Sequence, residues 1–225
     1  MVRDTRRDQA YFEDYIAKQE KRISKFQQTL EQLTQSGAER GKCQQCCIYL
    51  EKLSWDMLVA QYSIGSGRDT LEKWFAQYCE YVRAQDSLTY NEALNVFSMA
   101  ILLEKPGVEI SAPYPDDSFL DALKVYGKGH EVEMPDAAKL AFPKIFQEFS
   151  RCLRGELDAE ALRGYIEEEW YPSNRGEAWY DSDKRSQGTY CGYWCFAGAA
   201  VAKIRGFCAE DFENCAYFPV ELLKD

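Results

Sequence analysis

The stretch that decides the fold is Thr189–Leu222, TYCGYWCFAGAAVAKIRGFCAEDFENCAYFPVEL. It opens on aromatics (Tyr190, Tyr193, Trp194, Phe196), passes into an Ala-rich segment (Ala199, Ala200, Ala202) and stops at Gly206. Small residues let a helix sit deep in a core, and bulky rings fill the volume around it. Gly206 suits the residue just past a helix end, where a left-handed backbone is needed. The pattern predicts a buried helix over roughly 189–205, followed by the aromatic–proline segment Tyr217-Phe218-Pro219. Nothing in this pattern is catalytic equipment.

Working outward, the remaining chain also reads as helix. Phe12, Ile16, Ile23, Phe26, Leu30 and Leu33 recur at threes and fours, which predicts a long amphipathic helix over about 4–35. Cys43, Cys46, Cys47, Leu50, Leu53, Met57 and Leu58 continue that period in a second helix, ending near Gly65-Ser66-Gly67. Leu71, Trp74, Phe75, Tyr78 and Val82 mark a third, with Asp69 or Thr70 as its cap. A fourth, about 88–104, is apolar all round and is expected to be central. Pro106, Gly107, Pro113 and Pro115 then punctuate a connection between halves. Beyond it, Asp116-Asp117-Ser118 caps a short helix to Tyr126, and helices follow over about 136–153 and 158–170. Pro143 should kink the first of these or begin a new first turn. No alternating run is flanked by hairpin turns. The expected fold class is therefore all-α: an N-terminal helical half over 1–105 and an acidic C-terminal half over 106–225, packed as one bundle-like domain.

With 46% hydrophobic residues and no apolar run of membrane-span length, the 225-residue chain is neither disordered nor a membrane span. Its charged first residues, MVRDTRRDQAYFEDY, lack the apolar core of a secretory signal, so a cytoplasmic location is expected. Nine cysteines then read as reduced thiols, with no cofactor and no metal. The net charge of −10 is uneven: residues 1–105 hold 14 Lys/Arg against 15 Asp/Glu, and residues 106–225 hold 13 against 22. Such a chain repels nucleic acid, because phosphate contacts need cations, and it suits a basic protein partner.

Catalytic chemistry finds little to work with. His130 is the single histidine, in a loop after Gly127-Lys128-Gly129. Cys43-x-x-Cys46-Cys47 lacks a second ligand pair at comparable spacing, Cys191 and Cys195 lie four apart on one face of the expected helix, and Cys43, Cys47, Cys79 and Cys195 read as small apolar residues. Gly65-Ser66-Gly67-Arg68 lacks the Lys-Ser/Thr ending of a phosphate loop and reads as a helix-to-helix turn. What stands out is carboxylate. Glu109, Asp116, Asp117, Asp121, Glu131, Glu133 and Asp136 fall within 28 residues whose only cations are Lys124 and Lys128, and Glu167, Glu168 and Glu169 precede Trp170-Tyr171. Asp116, Asp117, Asp121, Glu131, Glu133, Asp136, Glu167, Glu168 and Glu169 are the candidate partner-binding residues. The aromatics Trp170, Tyr171, Trp179 and Tyr180 are candidate anchors or core.

The chain resembles the PoNi family of immunity proteins. The resemblance is carried by Trp170-Tyr171 and Trp179-Tyr180, by Tyr190-x-Gly192-Tyr193-Trp194-x-Phe196, by Ala202-Lys203-Ile204 and by Tyr217 to Leu222. In the first half it is carried by Tyr62-Ser63-Ile64-Gly65 and the apolar helix Leu94 to Leu103. Ala197 stands where the family pattern usually has Glu, and Asp183 where a His is common. The resemblance implies a non-enzymatic protein that binds and neutralises a cognate PoNe-type or related nuclease toxin of a bacterial secretion system, commonly type VI. It would do so stoichiometrically, at the toxin's active site or its DNA-binding surface. The residues alone also admit a helical adaptor or chaperone for a secreted effector, or a small-molecule enzyme using His130 or a cysteine cluster.

Overall fold

A computed structural model describes residues 1–111, 113–134 and 139–224. All regular structure among them is helical, with no strand, in agreement with the all-α expectation. The chain divides into two compact units: Met1–Ser87 with Asp181–Gly192, and Leu88–Tyr180 with Tyr193–Asp225. This division falls at 87/88, whereas the sequence punctuation falls at 105/106. The helix before Pro106 groups with the acidic later segments.

Unit 1 is built from α1 (Gln9–Gln35), α2 (Arg40–Ile64) and α3 (Arg68–Arg83), with α2 packed against both others. Asp8 starts α1, its carboxylate accepting from the Tyr11 N–H at 2.8 Å. The helix therefore begins five residues later than its periodicity suggests, after an N-terminal arm with its own partners. Leu50, Met57, Leu58 and Tyr62 of α2 are at most 1% exposed, which is what a helix between two neighbours requires. Gly65 ends α2 at φ 97°, and a Cβ there would lie 2.1 Å from the Met1 carbonyl oxygen. Glycine is required on both counts. Gly67, rather than Asp69 or Thr70, is the N-cap of α3, and Asp69 sits in the first turn. There its negative charge meets the positive end of the helix dipole.

Asp181–Gly192 completes this unit without joining a helix bundle. The Tyr11 hydroxyl donates to the Tyr190 carbonyl at 2.8 Å, and the Ser63 hydroxyl donates to the Cys191 carbonyl at 2.7 Å. The Tyr190 hydroxyl bonds the buried Asp4 carboxylate. The Arg3 guanidinium caps the end of α2, reaching the carbonyls of Tyr62 and Ser66 at 2.9 and 3.0 Å. Backbone groups that no ladder satisfies are thus met by side chains.

Unit 2 contains α4 (Tyr90–Leu102), α5 (Ser118–Gly127), α6 (Pro143–Leu153), α7 (Ala159–Tyr165), a π turn (Ile166–Trp170), α8 (Tyr171–Ser173) and α9 (Phe196–Arg205). A reciprocal capping box of Thr89 and Glu92 opens α4. Pro143 stands in the first turn of α6, so it begins a helix rather than kinking one. The helix expected over 158–170 runs on to Ser173, widened into a π turn just before Pro172. Proline offers no N–H to the carbonyl four residues back and its ring needs room there.

The buried Ala-rich helix exists, but it is shorter than expected. Thr189–Cys195 is not helical and α9 starts at Phe196. The Cys195 N–H donates to the Tyr217 carbonyl at 2.7 Å instead of to a helical partner. Cys191 and Cys195 therefore do not share a helical face. Ala199, Ala200, Val201 and Ala202 are fully buried where α9 packs on α4 and α6, and Gly206 ends the helix at φ 67°. Gly198 marks a close approach within α9: a Cβ there would lie 2.7 Å from Ile166 Cδ1 and 2.9 Å from Cys195 Sγ.

Candidate protein-binding surface

The two units divide the charge completely. Unit 1 holds 15 Lys/Arg against 15 Asp/Glu, and unit 2 holds 12 against 22. The whole net charge of −10 belongs to unit 2.

Part of that charge lines a shallow pocket of about 170 Å³ at the start of α5. Asp116, Asp117, Asp121 and Glu133 border it, with Ala122 and Val132 among its apolar members. Asp116, Asp121 and Glu133 are exposed, as is Glu131 nearby in sequence. No cation among the described residues forms an ion pair with any of these four. Their charges face solvent.

Asp117 differs and is removed from the set of exposed candidates. It is 3% exposed, and its carboxylate is engaged inside the fold as the N-cap of α5. It accepts from the Leu120 N–H at 2.8 Å, the Ala141 N–H at 2.7 Å and the Tyr90 hydroxyl at 3.3 Å. Burial, and then the neighbouring Asp117 charge, push the Tyr90 hydroxyl well above its ordinary pKa, so it remains a donor. These bonds hold Asp117 in the pocket wall. Asp136 lies outside the described residues.

The second acidic group sits on the π turn. Glu168 and Glu169 are exposed, while Glu167 is half-buried and paired with Arg163 at 3.2 Å. Of the candidate anchors, Trp170 is buried and stacks on Trp179 at 5.7 Å. Tyr171, half-buried, stacks on Tyr180 at 4.5 Å and on Tyr217 at 5.0 Å. These rings pack mainly on one another. Two rings that the sequence reading passed over are more open: Tyr114 and Phe142, 40% and 41% exposed. They meet edge to face at 5.9 Å and both lie on the ring of Tyr90, at 5.5 and 4.9 Å. The available signal was an aromatic beside prolines, in Pro113-Tyr114-Pro115, and a second one just before Pro143.

Elsewhere the chemistry is sparse. His130 is exposed in the loop after α5. Among the described residues, no three His, Cys, Asp or Glu side chains form a group suited to a metal ion. Cys208 is exposed and Cys43 half-exposed; the other seven thiols are buried. Gly65 and Gly67 are both accounted for by helix ends. No helix among the described residues is long and apolar enough to cross a membrane.

Residues 3–112 match the family model described as PoNe immunity protein (PoNi), N-terminal, and residues 116–222 match the one described as PoNe immunity proteins (PoNi), C-terminal. No curated protein and no solved structure matches the chain.

Proposed function

The chain belongs to the PoNi family of immunity proteins, and on that premise we propose that it protects its own cell by binding a PoNe-type nuclease toxin stoichiometrically, without catalysis. The toxin would be one delivered between competing bacteria, through a type VI system, and met in the cytoplasm. The observation that carries this reading is the pair of family matches, which together span residues 3–222. The charge distribution supplies the physical means. A nuclease grips phosphates with Lys and Arg, and a protein whose second unit has 22 acidic against 12 basic residues offers those cations another anionic partner.

Asp116, Asp121, Glu131, Glu133, Glu168 and Glu169 are the exposed carboxylates proposed to meet the toxin, and Glu167, half-buried and paired with Arg163, is a secondary candidate. Exposed charges steer encounter within about 10 Å at moderate salt and so act mainly on the association rate. Buried contacts then set dissociation. Inhibition follows if the complex covers the toxin's active site or its DNA-binding surface.

Co-expression tests the reading. Cells producing the toxin should survive when they also make this chain, and the two should copurify at a one-to-one ratio. A catalytically inactive toxin should lose its DNA mobility shift as the chain is added. Protection without a copurifying complex would overturn binding as the mechanism.

A further inference from the structure

The surface around Tyr114 has a composition that solvation alone does not explain. Tyr114 and Phe142 are the two most exposed large hydrophobic residues among the described part of unit 2, and they touch each other. Both rest on Tyr90, whose hydroxyl donates to Asp117, and Asp117 forms a wall of the acidic pocket. Pro115 and Asp116 follow Tyr114 directly and border the same pocket. Open rings and open carboxylates are therefore one continuous patch. It is held from beneath by the Tyr90–Phe146 stack at 4.9 Å and the Asp117 cap.

Size and charge select the occupant. About 170 Å³ is below the ~300 Å³ of ordinary small-molecule sites, but it suits a single long side chain. The carboxylates have no metal-holding arrangement among the described residues. A second copy of this chain packed patch to patch would bring like charge against like, and its other unit carries no excess of cations. An arginine fits each feature: its guanidinium is permanently charged, binds carboxylates in pairs, lies flat on aromatic faces and sheds water more readily than an ammonium.

We propose that Tyr114, Phe142 and the adjoining acidic pocket form the docking point for an arginine-bearing segment of the toxin, the guanidinium entering the pocket and the neighbouring residues covering the two rings. This rests on the toxin-binding reading and adds the residues and the partner chemistry. The rings are the anchors that slow dissociation, while Asp116, Asp121 and Glu133 recruit and orient the cation. Occupancy needs little rearrangement, because the Asp117 bonds already fix the wall.

The experiment uses the full chain and a catalytically inactive form of the toxin it neutralises, with binding followed in real time. Tyr114→Ala/Phe142→Ala is expected to raise the dissociation rate at least tenfold with little change in association. Asp116→Asn/Asp121→Asn is expected to lower the association rate several-fold and to flatten its salt dependence. Backbone hydrogen exchange at 113–116 and 142–146 of the unaltered chain should slow on adding toxin, a readout that does not depend on any variant folding. If the unaltered chain binds no toxin, the immunity reading itself falls and the proposal with it. If it binds, yet the folded ring variant dissociates at the original rate or 113–116 gains no protection, the docking point is overturned while the immunity reading stands.

Discussion

Unit 1 forms its core from helices of 27, 25 and 16 residues, whereas no helix described in unit 2 exceeds 13. Long helices satisfy most of their own backbone and leave few loops, and unit 1 is electrically neutral. Short helices expose more ends, each with unsatisfied N–H or C=O groups, and they need more connecting chain. In unit 2 those ends and loops carry the acidic residues, some as caps (Asp117, Asp158) and some free in solvent (Asp116, Glu133). The difference shows how one residue type serves two ends. A carboxylate at a helix start is structural when buried and available for a partner when it projects. Asp116 and Asp117, adjacent in sequence, fall on opposite sides of that line.

The sharpest way to break the contrast is to remove the buried carboxylate. Asp117→Ala abolishes a cap and leaves the Leu120 N–H and the Tyr90 hydroxyl without their acceptor. A loss of about 2–4 kcal/mol is expected in denaturant unfolding. The loss should appear first in the reactivity of Cys152 and Cys195 rather than Cys47 and Cys79, which belong to unit 1. Equal and simultaneous exposure of all four would mean that the units unfold as one.

Gly198→Ala tests the close approach of α9. The added methyl would meet Ile166 and Cys195, both at most 1% exposed and unable to retreat into solvent. Overpacking of about 1–3 kcal/mol is expected, read as a lowered melting temperature. An unchanged melting temperature would show that the Ile166 side chain can rotate away.

The thiols report on both units through pH. Burial pushes Cys79 of unit 1 up to about 12, and in unit 2 it pushes Cys152 up to about 11 and Cys215 up to about 12. The unfolded thiols ionise near ~8.5, so folding favours the protonated form. The stability linked to these groups is complete below that value and is lost as pH rises toward 11–12. Urea unfolding at pH 7, 9 and 10.5 should show a falling midpoint above pH 9. At pH 8 a thiol reagent should label Cys208 and then Cys43 long before the buried seven.

Smallest are the changes at open positions. Reversing Asp116, Asp121 and Glu133 to Lys together should alter stability by no more than about 1 kcal/mol, most of it from Asp121 in the first turn of α5, while slowing toxin association and weakening its salt dependence. A melting temperature markedly below the original would give these carboxylates a structural role like that of Asp117. His130→Ala should change neither folding nor protection, and a folded, toxin-binding variant that fails to protect would reveal a catalytic step.

The sequence by itself determined that the chain is helical, because a 3.6-residue apolar period and the near absence of alternation leave no other way to bury these residues. It also placed a cap within Asp116-Asp117-Ser118, the stop at Gly206 and the excess of negative charge beyond the first hundred residues. These are local properties, set by neighbours within a turn or two. Only the tertiary structure decided that Thr189–Cys195 stays out of the helix, since the partners of its backbone, Ser63, Tyr11 and Tyr217, come from distant segments. It likewise decided that Leu88–Leu102 groups with the acidic unit and that Asp117 is buried while Asp116 is open. Tyr114 and Phe142, 28 residues apart, meet only because Tyr90 lies beneath both. Burial and long-range pairing depend on what the rest of the chain brings alongside, and no window of sequence contains that.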